Sequence, residues 1–295
     1  MEFWAAIKNN RVISLLWTTA QDFSSDNGNL MASAVAYSLL FSLFPFALAA
    51  ISVSGFLMSS AEVENQIITA MGNLIPVARN LITGTLETVI KTREVTGVIA
   101  VLALIWSALS FFDALRNSLN SAWGLPNSQT YIKGRLINIT MLVLAVVAMI
   151  AFTWLTTSLH YMHEADMRYG IIKLTRNNMF TRVIFMLLSA VMAYGVTLFL
   201  YRFIPSHRPK WKHIWLGALL ATIGFEAVRY AFVWYVKNFG QYNLVYGPIG
   251  SVIALLMFIY LTAWVLLFFA KFSYVKMRRD REGLLIAGNP PPVVE

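Results

Sequence analysis

The sequence predicts an all-α polytopic membrane bundle of about six transmembrane helices, and three observations carry that reading. Hydrophobic residues make up 58% of the 295-residue chain and charged residues only 13%, a balance that cannot coat a water-soluble surface. Six apolar stretches reach spanning length: roughly Met31 to Leu57, Val95 to Phe112, Leu136 to Leu159, Val183 to Ile204, His213 to Val236 and Gly247 to Val275. These stretches are runs of Leu, Ala, Val and Met without the short alternation of a membrane β-strand.

Residues 1–30 show no cleavable signal pattern. Phe3, Trp4, Ile7, Leu15, Leu16 and Trp17 are interleaved there with Lys8, Asn9, Asn10 and Arg11, which predicts an amphipathic helix lying in the cytoplasmic interface. In the first span Ala32, Ala36, Ser38 and Ser42 permit close helix approach, and Pro45 removes a backbone donor, predicting a kink or break. Between Ser59 and Glu94, apolar residues at helical spacing on either side of Pro76 predict two short amphipathic helices on the outer face.

The second span ends with Asp113 and Arg116 on one helix face, either a helix-end ion pair or a gate-like contact with another span. His160, His163, Glu164 and Asp166 follow in the third-to-fourth connection. No second cluster completes a coordination shell for them, so a polar loop is the expectation, with no metal and no cofactor.

Glu226 and Arg229 interrupt the fifth apolar run near its middle, roughly 20 Å from His213 and about 15 Å from Val236. Three residues apart, they can neutralise each other on one face and point into a protein interior or a water-filled cavity. Either they lock helix packing or they mark a pathway. Gly217 and Gly224 on the same span, packing beside Gly247 and Gly250, would put the charges at a helix junction. Tyr242, Tyr246, Gly247, Pro248 and Gly250 predict outer-interface tyrosines and a sharp, closely packed entry into the last span. Beyond Lys276 the chain is charged and then proline-rich. The expected division is therefore an amphipathic arm at 1–30, a six-span membrane domain at 31–275 and a disordered cytoplasmic tail at 276–295.

Basic residues orient the bundle. The N-terminal arm (Lys8, Arg11), the second-to-third connection (Arg116, Lys133, Arg135), the fourth-to-fifth (Arg202, Arg208, Lys210, Lys212) and the C-terminal end (Lys271, Lys276, Arg278, Arg279, Arg281) hold 14 of the 23 Lys and Arg, against 8 on the opposite face. The positive-inside rule then places both termini in the cytoplasm. The formal charge of +9 is that of a basic rim beside anionic headgroups and calls for no nucleic acid. The absence of cysteine excludes disulfides and thiol chemistry.

Several stretches carry a family resemblance: Met31 to Pro45 with Tyr37, Trp106 to Trp123, Arg202-Phe-Ile-Pro205 followed by Trp211 and Trp215, and Gln241 to Gly250. Together, over roughly residues 30 to 275, the chain resembles the YihY/BrkB family of bacterial inner-membrane proteins, also labelled virulence factor BrkB. The resemblance implies a multi-pass protein of the bacterial inner (plasma) membrane. With the intramembrane charges it suggests a transporter or exporter, of lipid or envelope components among other cargo, with a non-transporting envelope scaffold as the alternative. Expected partners are membrane lipids and an unidentified small-molecule or lipid substrate; self-association into a homo-oligomer is left open. The family's old ribonuclease label finds no support, because no carboxylate cluster suits paired metals and no basic aromatic soluble face could track RNA. The chain reads as a non-enzyme. One departure stands out: where the family closes its last span with a Gly-Ala-Glu-type triplet, this chain has Phe269-Ala270-Lys271, and Lys271 is expected to snorkel to headgroups.

Overall fold

Seven α-helices and no strand make up the residues described in the computed structural model, which are 11–57, 93–125, 134–144, 179–206, 209–239 and 243–286. In chain order they are α1 (Arg11–Ser25), α2 (Gly28–Leu57), α3 (Arg93–Ala122), α4 (Gly134–Leu144), α5 (Met179–Phe203), α6 (Trp211–Phe239) and α7 (Asn243–Ile286). The two short helices expected between Ser59 and Glu94, the His160 to Asp166 cluster and Tyr242 lie outside the described residues.

Local chemistry sets where the helices stop. α1 ends in a turn at Asp26 and Asn27, and Asn27 takes the left-handed backbone conformation (φ 59°) that asparagine tolerates best after glycine. α3 ends in a Schellman motif: Gly124 N–H donates to the Ser121 carbonyl and Leu125 N–H to the Asn120 carbonyl, with Gly124 at φ 62°. α2 runs through Pro45 without a break, so the lost donor is absorbed inside one continuous helix. α7 likewise begins four residues before Gly247 and carries Pro248 within its early turns, an earlier entry than the Gly-Pro pair suggested.

α7 is the hub. It packs against α1, α2, α3 and α6, while α2 lies broadly on α3 and α5 on α6. Among the described residues a buried cluster forms where Tyr201, Ile214, Ala218, Leu267 and Ala270 meet Leu119 and Trp123 of α3 and Phe23, Ala32 and Val35 from α1 and α2. α6 and α7 run antiparallel: Gly217 faces Phe269 and Ser273, Gly224 faces Val265, and Phe232 stacks near Phe258 at 4.8 Å.

Many large apolar side chains among the described residues face outward. Leu30, Ile99, Leu102, Val191 and Trp234 are each more than half exposed, the distribution that lipid, not water, stabilises. Trp211–Val236 and Val252–Glu282 are each long and apolar enough to cross a membrane.

α1 follows the same inverted pattern. Arg279 of α7 donates to the Ser14 carbonyl and to the Ser14 and Thr18 hydroxyls, and Arg278 pairs with Asp22 at 3.1 Å. The polar face of α1 is thus turned inward, and Ile13, Leu16 and Trp17 are left outside. The departure from expectation is at the C-terminal end, where helix runs on past the point at which a disordered tail was expected. α1 is strapped to the bundle, and α7 stays helical beyond Lys276, as far as Ile286, because its basic last turns have partners on α1.

Candidate functional site

Glu226 lies fifteen residues into α6, about 23 Å from its start, so the geometry keeps it near the middle of the span. Arg229 Nη2 approaches Glu226 Oε2 at 2.6 Å, and the guanidinium also lies over the Tyr230 ring at 5.1 Å. The approach is off the hydrogen-bond direction, for both Glu226 oxygens are buried and neither has a hydrogen-bond partner among the described residues. Among the described residues the carboxylate therefore has charge neutralisation from Arg229 and no donor network. The arginine is the more exposed partner, with 36% of its side chain accessible against 17% for the glutamate.

The expected helix junction is not where these charges sit. Gly217 and Gly224 do bring α6 close to a neighbour, but the neighbour is the Val265–Ser273 stretch of α7. Glu226 follows Gly224 by two residues, which at ~100° per residue turns it to the opposite side of α6. The glycine seam and the ion pair are separate features.

At the basic end of the bundle Asp113 and Arg116 form the anticipated pair, at 2.9 Å. The fold adds two residues of α4: Arg135 Nη1 meets Asp113 Oδ2 at 2.8 Å, and Asn138 donates to Asp113 Oδ1. Gly134 makes room for the Arg116 guanidinium, since a Cβ there would stand 2.4 Å from Arg116 Nη1. Arg116 Nε and Nη1 and Asn138 Oδ1 are buried without hydrogen-bond partners among the described residues. Two guanidiniums thus share one carboxylate, and α3 is clamped to α4.

Of the remaining residues singled out, Tyr37 is exposed and stacks on Phe41, which meets Trp106 edge-on. Pro45 is half-buried within α2; Tyr246, Gly247 and Gly250 fall in the first turns of α7.

Lys271 overturns the snorkelling expectation. Its side chain is only 4% exposed, it pairs with Asp26 from the α1–α2 turn, and its ammonium lies 4.9 Å over the Tyr274 ring. Tyr274 in turn packs edge-on against Trp123 and covers Gly124. Nearby Trp264 Nε1 donates to Asn29 Oδ1, and Phe23 packs against Trp264 and Phe268. The base that stands where relatives are expected to carry an acid has thus found its counter-charge 245 residues away. The sequence signal was the departure from the triplet; no local pattern named Asp26. Among the described residues no group of three or more His, Asp or Glu could hold a metal ion.

A family model described as Virulence factor BrkB matches residues 19–289. Similar curated proteins, each named a UPF0761 membrane protein, include one from Alkalilimnicola ehrlichii, 27% identical over 86% of this chain and 56% of its own length. Others come from Alteromonas mediterranea, 24% identical over 84% of this chain and 82% of its own, and Tolumonas auensis, 26% identical over 83% and 79%. The chain thus spans little more than half of the first of these relatives. No solved structure matches. With a membrane-type helix bundle in hand and a family match over nearly its whole length, the chain belongs to the virulence factor BrkB family of membrane proteins.

Proposed function

We propose that this protein works in the bacterial inner membrane with both termini in the cytoplasm, moving a lipid or another envelope component, with Glu226 and Arg229 as the polar point on the route. The supporting observation is the Glu226 carboxylate itself: buried, halfway along a lipid-length helix, and with Arg229 as its charged contact among the described residues. A charge held this way inside a membrane is costly unless a passing polar group or ion uses it. In the same reading α1 lies in the cytoplasmic interface with Ile13, Leu16 and Trp17 towards lipid, and residues 31–275 form the six-span domain.

The test is the double variant Glu226→Leu with Arg229→Met, assayed for expression and for rescue of the envelope or growth defect of a deletion strain. Replacing both partners by apolar residues removes the desolvation cost, so folding and insertion should be at least as good as in the native chain. Loss of rescue at normal expression supports the route. Full rescue at normal expression removes it and leaves the pair as packing, with a scaffold as the remaining role.

A further inference from the structure

The beginning of α6 and the last turns of α7 bring basic and aromatic side chains together in a way that neither the ion pair at Glu226 nor the Asp113 clamp uses. Trp211 and Trp215, one helical turn apart, are about half exposed, at 53% and 48%. Each carries a cation on its ring: Arg202 of α5 lies 5.6 Å over Trp211, and Lys276 of α7 lies 5.9 Å over Trp215. Lys210 and Lys212 flank them in exposed positions, and Lys210, Lys212, Asp280 and Arg281 all stand within electrostatic reach of His213. Lys210, Lys212 and Lys276 have no carboxylate partner among the described residues, unlike Lys271 and Arg278.

We infer that this surface is a binding site for the phosphodiester headgroup of an anionic phospholipid. Among the described residues, Lys210, Lys212 and Arg281 outnumber Asp280 around His213, and Arg202 and Lys276 add a cation over each indole, so the local field selects a ligand with net negative charge. A zwitterionic headgroup would bring its own cation into that field and lose most of the attraction. The two indoles decide between a lipid and a free phosphate. Half-exposed tryptophans at the end of an apolar helix are stable where ring faces meet glycerol and acyl chain while cations meet phosphate; dissolved phosphate gives the rings nothing to cover. The cation over each ring also holds the ammonium or guanidinium at the height of the indole, where a phosphate would sit. This inference stands apart from any role of Glu226 and Arg229.

The test uses the full chain purified in a neutral detergent, with lipid retention read by native mass spectrometry. Phosphatidylglycerol, phosphatidylcholine and inorganic phosphate are offered separately and then in competition. Phosphatidylglycerol should be retained at least ten-fold more strongly than phosphatidylcholine, and millimolar inorganic phosphate should not displace it. At about five-fold per basic residue near an anionic lipid, Lys210→Gln with Lys212→Gln and Lys276→Gln should weaken phosphatidylglycerol retention roughly a hundred-fold and leave phosphatidylcholine unchanged. Equal retention of the two lipids by the native chain overturns the site without any variant. So does displacement by inorganic phosphate, which would make the ligand a free anion, and so does a triple variant that stays folded and keeps its selectivity.

Discussion

Changing Asp26 to Asn should destabilise the bundle out of proportion to a single charge in a turn. The Lys271 side chain is 4% exposed, so without Asp26 its ammonium stays buried, with the Tyr274 ring as its remaining neighbour of suitable sign among the described residues. Breaking a fully buried pair by removing one partner costs about 3–5 kcal/mol. The Asp26 side chain is 40% accessible and water screens part of the pair, which lowers the expected loss to roughly 2–3 kcal/mol. Adding Lys271→Met to Asp26→Asn removes the stranded charge and should return most of that loss, because Met fills a similar volume beside the Tyr274 ring. Reversible unfolding in mixed micelles, run as a double-mutant cycle, measures both numbers. A loss below about 0.5 kcal/mol for Asp26→Asn, or simple additivity in the double variant, would refute the argument that the α1–α2 turn neutralises Lys271.

Glycines give a matched contrast on α6 and α5. Gly217→Ala drives a Cβ to 1.8 Å from Ser273 Oγ and 2.7 Å from the Phe269 carbonyl, and since the second contact is backbone, α6 and α7 must part at about 1–3 kcal/mol. Gly195→Ala meets nothing within 4 Å and should stabilise α5 by up to about 1 kcal/mol; the same unfolding assay reads both. The native lack of cysteine allows orientation to be mapped by single introduced cysteines and an impermeant thiol reagent on intact cells. Cysteines at Ser60 and Asn178 should react from outside, whereas one at the exposed Lys210 should react only after the membrane is opened, and the reverse pattern would invert the bundle.

What the amino-acid sequence determined by itself was everything that depends on composition over one helix length. Apolar runs must satisfy their backbone hydrogen bonds internally in lipid, so the helical character of the bundle and its membrane setting follow from hydropathy alone. Pairs within one helix were equally visible: Glu226 with Arg229 and Asp113 with Arg116 follow from a spacing of three. Tertiary structure decided the rest, because each remaining partner comes from a different helix. Arg135 and Asn138 reach Asp113 only once α4 folds back on α3, and the outward face of α1 is apolar only because Arg278 and Arg279 hold its polar side. Lys271 shows the limit most plainly. Hydropathy near a span end allows either a snorkelling base or a buried one, and the choice fell to Asp26, presented by a left-handed Asn27 turn at the far end of the chain.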